Sequence, residues 1–171
     1  MIGRNRVTPL IPLFVALLVL IPLTVHGDGA LFNIQPPGIV TLRSDSVISY
    51  VRIYADDHGE SHFEDVDVSL NLVEVAPGIS PLFASAFEEA SRYAFLKAEP
   101  GWKEDWHPAP QRQFLVYLAG VTEFRVSDGE VRRLGAGTVL LAEDTTGKGH
   151  ISEVVGEEDV VAVLIQVPLE G

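Results

Sequence analysis

The stretch "QFLVYLAGVTEFRVSDGEVRRLGAGTVLLAED", Gln113 to Asp144, decides the fold. It opens with "FLVYLAG", apolar on both alternating faces, which predicts a strand buried on both sides. Two further strands, Thr122–Val126 and Glu130–Leu134, flank Ser127-Asp128-Gly129. Asp-Gly between alternating runs is the strongest short signal for a β-hairpin, because its turn needs positive φ and the twist of that turn matches the strands. "GAG" then turns the chain into "TVLLAED", a fourth apolar strand.

The same grammar extends in both directions. Upstream, "VISYVRIYADD" is rich in β-branched and aromatic residues and ends at the turn "DDHGE". "VDVSLNLVEVA" alternates Val66, Val68, Leu70 and Leu72 against polar neighbours, the period of a half-buried strand. Between the turns at "PGISP" and Pro100-Gly101, "ASAFEEAS" favours a helical turn and "RYAFLKAE" a strand. Downstream, "VVAVLIQVPL" closes the chain with one more apolar strand. Short strands, frequent turns and little helix predict an all-β sandwich or jelly-roll barrel over residues 49–171, with residues 28–48 as a lead-in arm broken by Pro36-Pro37-Gly38.

Of the 171 residues, 47% are hydrophobic, enough to build a core rather than a disordered chain. The net charge is −12, and Arg4 and Arg6 are the only charged residues before Asp28, so the body beyond them is more acidic still. Such a body repels phosphate backbones, which argues against a nucleic-acid partner. There is no cysteine, which excludes disulfides, thiolate metal ligands and thiol nucleophiles. Nucleophile-elbow, phosphate-loop and dinucleotide-binding glycine patterns are absent.

Residues 1–27 read as a targeting segment. Two arginines precede an uncharged apolar run from Val7 to Val25, and Val25-His26-Gly27 suits signal peptidase. The run is also close to the about 20 residues that span a bilayer, so an uncleaved anchor is the alternative; Pro9, Pro12 and Pro22 weaken it. Either way the expected location is outside the cytoplasm, exported or anchored to the outer face of the cytoplasmic membrane, with Arg4 and Arg6 inside. Contact with the membrane is expected only through that segment.

From Tyr93 to Pro168 the order of strands resembles the cupins, the RmlC-like jelly rolls. The cupin signature sets two histidines and a glutamate ahead of a glycine, then a second motif of glycine, proline, glycine, histidine and asparagine. Anchored on Gly120, the glutamate place falls on Gln113, the second histidine place on Ala109 and the first on His107. In the second motif Gly129 leads, Gly135 takes the proline place, Gly137 the glycine, Leu140 the histidine and Asp144 the asparagine. The resemblance implies a cupin-type double-stranded β-helix, and a divalent transition metal held by three imidazoles and a carboxylate. Here the motif is degenerate: Ala109 and Leu140 offer no donor and Gln113 only a neutral oxygen, so a metal would be held weakly. The loop "DTTGKGHIS", with "HPAP-x-RQ" and "GESHFEDV", resembles a subset of small bacterial cupins and adds His150 as a second imidazole that could hold a metal with His107.

Each candidate residue has a functional and a structural reading. His107 and Gln113 hold inward places and suit ligand contacts; alternatively His107 sits in a surface turn and Gln113 is satisfied by backbone. Asp144 with His150 makes a carboxylate–imidazole pair, or Asp144 caps its turn. Tyr117 shares the parity of Gln113 and either donates a hydrogen bond in the barrel or fills it. Trp102 and Trp106 wall a cavity or close one end. His62 joins the site or is a surface residue among acids. Arg112 points outward by parity. Phe114, Val116 and Leu118 face out and suit a homodimer contact. Two function classes follow: a barrel that binds a small molecule without tightly held metal, or a metal-dependent oxygenase or isomerase with a rearranged histidine site.

Overall fold

The computed structural model of the protein describes residues 47–168. The targeting segment and almost all of the lead-in arm lie outside the described residues. Among the described residues there is no helix long and apolar enough to cross a membrane.

The described chain is all-β. Nine-residue strands β1 (Val47–Ala55) and β2 (Ser61–Ser69) form a hairpin. A small hairpin follows, β3 (Asn71–Val73) with β4 (Leu82–Ala84). Then come β5 (Arg92–Ala98), β6 (Lys103–His107), β7 (Gln113–Ala119), β8 (Val121–Val126), β9 (Val131–Gly135), β10 (Val139–Ala142), β11 (His150–Val154) and β12 (Val160–Gln166). They assemble into a six-stranded sheet in the order β2-β1-β10-β7-β12-β5 and a four-stranded sheet in the order β6-β11-β8-β9. All pairings are antiparallel except β1 with β10.

This is a jelly-roll arrangement of two facing sheets, and the sheets do not join by hydrogen bonds into one closed barrel. The core lies between them. Ile53, Phe63, Tyr117, Leu140 and Ala162 come from the larger sheet; Phe124, Val126, Leu134 and Val154 come from the smaller. Alternation along each strand supplies this face, as period two requires.

Several expectations change. Residues 85–91 contain no helical turn: they are irregular and exposed, because Ala and Glu propensity has no packed face to support a helix there. The alternation of Val66, Val68 and Leu70 is half-buried as expected, but Leu72 falls in the short hairpin and is exposed. β7 is fully buried only at Gln113 and Tyr117 on its inner face; on its outer face Phe114 and Val116 are half-buried and Leu118 is exposed. Arg112 does not project into solvent. It stands just before β7 begins, so strand parity does not reach it, and its guanidinium is buried against the Glu143 carboxylate.

Candidate functional site

β6 and β11 carry the histidines. They pair antiparallel with His107 opposite His150, so the two imidazoles leave neighbouring strands on the same side. Their ring centroids are 4.6 Å apart, and the Phe124 ring packs on His150 from β8 at 5.5 Å. The close approach of the strands depends on Gly149, whose φ is +72°; a Cβ there would collide with the His107 carbonyl and the Pro108 nitrogen. Between His150 and Ser152 the register slips, a bulge that gives β6 one extra residue. Bulges re-aim side chains beside sites.

Both imidazoles are oriented the same way. His107 Nδ1 lies 2.7 Å from the Asp105 carbonyl oxygen, and His150 Nδ1 lies 2.6 Å from Asp144 Oδ2. A carbonyl only accepts, so His107 Nδ1–H donates to it; His150 Nδ1–H likewise donates to the carboxylate. That leaves Nε2 of each ring open. Asp144 is 0% exposed, and among the described residues its carboxylate has His150 as partner on one oxygen and none on the other, Oδ1.

Both rings line a cavity of about 340 Å³ between the two sheets. Leu115, Leu140, Phe124, Val160, Ala162 and Leu164 make most of its wall apolar. Gln113 also lines it, with Oε1 buried and without a partner, and so does Tyr117. Burial raises the Tyr117 phenol above its usual range, against a hydrogen bond with Thr122 that lowers it. Lys97 is the one Lys or Arg among the lining residues, and its ammonium pairs with Asp159 at 2.9 Å and Glu99 at 3.5 Å.

The candidates therefore divide. His107, Gln113, Tyr117 and His150 face one cavity, with Asp144 directly behind His150. Trp106 does not: it is 47% exposed and stands off the cavity at the bulge, while Trp102 lines the wall. His62 also lies elsewhere. Its Nδ1 is 2.7 Å from Asp128 and its Nε2 3.3 Å from Asp56, tying the β8–β9 turn to the β1–β2 turn. The Asp128 hydrogen bond raises its pKa, outweighing partial desolvation, and Asp56 adds to the rise. Ser152 had not been singled out, yet it lines the cavity two residues beyond His150; strand parity from His150 gives it directly.

The donor set does not fit the metal that a cupin resemblance implies. Ala109 and Leu140, in two of the histidine places, line the cavity as apolar wall. Among the described residues no three His, Cys, Asp or Glu side chains group so as to hold a metal ion.

No protein-family model and no curated protein matches the sequence. Among the solved structures similar in chain trace are three of low sequence identity. The SPY1581 protein of unknown function from Streptococcus pyogenes is 13% identical at a TM-score of 0.37, with 85% of this chain and 100% of that one covered. The cupin domain of Schizosaccharomyces pombe Cnp3 is 17% identical at 0.36, covering 72% of this chain and 85% of that one. The capsular polysaccharide assembling protein CapF from Staphylococcus aureus is 15% identical at 0.35; the match covers 70% of this chain and 31% of CapF.

Proposed function

We propose that this protein is a cupin-type jelly roll, exported or membrane-anchored through residues 1–27, that binds a small molecule between its sheets without a tightly held metal. The observation that carries the reading is the cavity itself. It encloses about 340 Å³, near the lower end of ligand pockets, with a wall that is mostly apolar and a polar end where two imidazoles leave Nε2 open beside Gln113 and Ser152. At about 30 Å³ per water it has the room of roughly ten waters, which suits a compact ligand with an apolar body and one polar head.

The rival reading, a metal-dependent oxygenase or isomerase with a rearranged histidine site, draws on the same Nδ1 contacts, since metal-binding imidazoles are held in that way. It lacks a third strong donor. One experiment separates the two: mass spectrometry of the purified protein under native conditions, for retained small molecules and for metal, beside His107→Ala and His150→Ala. A retained organic ligand without metal supports binding. Stoichiometric Fe, Mn, Ni or Zn, lost in both variants, overturns it in favour of the enzyme.

A further inference from the structure

We infer that the cavity selects a small primary amine in its ammonium form, attached to a compact apolar body; the inference rests on the binding role proposed above and names the class of ligand.

The argument is one of charge and of donors. The Lys97 ammonium is engaged by Asp159 and Glu99, so it has its charge balanced away from the cavity. The one formal charge directly behind the imidazoles is the Asp144 carboxylate, wholly buried, whose partner among the described residues is His150. The charge behind that polar end is therefore negative. An ammonium head would meet that charge across His150. An anionic head would meet that charge with repulsion and would face Nε2 atoms that stand as acceptors, since each Nδ1–H is committed elsewhere.

The hydrogen bonds agree. With Nδ1–H of each ring committed to an acceptor, both Nε2 atoms are acceptors. The Ser152 hydroxyl lines the same cavity, and among the described residues it has no hydrogen-bond partner. With the partnerless Gln113 Oε1 on the same wall, the cavity offers several acceptors, which suits the three N–H bonds of a primary ammonium. Charge-assisted hydrogen bonds of this kind are about twice as strong as neutral ones. A neutral alcohol offers one donor and leaves the other acceptors without a partner.

The test is calorimetric titration of the full-length chain with four probes sharing one body: benzylamine, benzyl alcohol, toluene and sodium benzoate, each repeated in competition with toluene to separate cavity binding from surface adsorption. The expected result is toluene-competed benzylamine binding about tenfold tighter than benzyl alcohol, a difference of about 1.4 kcal/mol, with benzoate weakest. In Asp144→Asn that advantage falls to near unity while toluene binding is retained. Benzyl alcohol or benzoate binding as tightly as benzylamine would overturn the amine assignment and leave the cavity reading standing. Binding by none of the four would overturn both. The comparison among probes is made in the unaltered protein, so it holds even where the Asn variant folds poorly.

Discussion

His150 and His62 make nearly the same contact and live in opposite surroundings. Each sets Nδ1 against an aspartate, at 2.6 Å for Asp144 and 2.7 Å for Asp128. His62 is 28% exposed and spends its second nitrogen on Asp56. His150 is buried and leaves its second nitrogen open to a cavity. The first arrangement uses the ring up as a staple between two turns. The second orients the ring and leaves it a free valence. Burial and the count of occupied nitrogens, rather than the presence of a carboxylate, separate a structural histidine from one available to a ligand.

The largest effect should come from the residue that brings the cavity pair together. Gly149→Ala places a Cβ against the His107 backbone at a left-handed φ, and neither side can give way. We expect a loss of about 3 kcal/mol or more, measured by denaturant unfolding. A loss below 1 kcal/mol would mean that β6 and β11 are not held as described.

Next, Asp144→Ala leaves the His150 Nδ1–H buried without an acceptor, at a cost of about 1–3 kcal/mol. Asp128→Ala, the matching change at the exposed site, should cost less than about 1 kcal/mol. Equal costs in the two variants would erase the distinction drawn between the two histidines.

The exposed pair should carry its own pH signature. The folded-state pKa of His62 is raised above its usual 6.5. Its stabilisation is therefore fully present below about 6.5 and fades as pH rises through the higher folded-state value. His62→Asn should thus destabilise at pH 5.5 and make little difference at pH 9, read as a difference in thermal midpoint. A penalty that grows with pH would reverse the sign and remove the staple. The smallest effect concerns the tryptophans. Trp102 lines the cavity and Trp106 does not, so ligand-induced fluorescence change should survive Trp106→Phe and vanish in Trp102→Phe.

Much of the architecture was legible from Gln113 onward, because Asp128-Gly129 fixes a hairpin and the flanking runs alternate cleanly. The observed strands, Val121–Val126 and Val131–Gly135, match the expected ones to within a residue. β6 was not legible: "KEDWH" has no apolar alternation and runs into proline, and its pairing with β11 exists only in the folded chain. Its bulge also explains Trp106, since one extra residue breaks the parity from which its direction would be read. Asp144 and His150 could be paired from their short loop. That His107 stands beside them depends on the pairing of β6 with β11, whereas His62, equally histidine and equally near acids, is drawn to a different corner by the β1–β2 turn.

The positions of Ala109, Leu140 and Gln113 carry an engineering consequence. All three line the same space as His107. Replacing Ala109 and Leu140 with histidine and Gln113 with glutamate would surround that space with three imidazoles and a carboxylate alongside the His150–Asp144 pair. The chain would then offer a scaffold in which first-row metal affinity is installed by substitution alone, with no change of backbone, and titrated against the affinity for organic ligands that the apolar wall now supports.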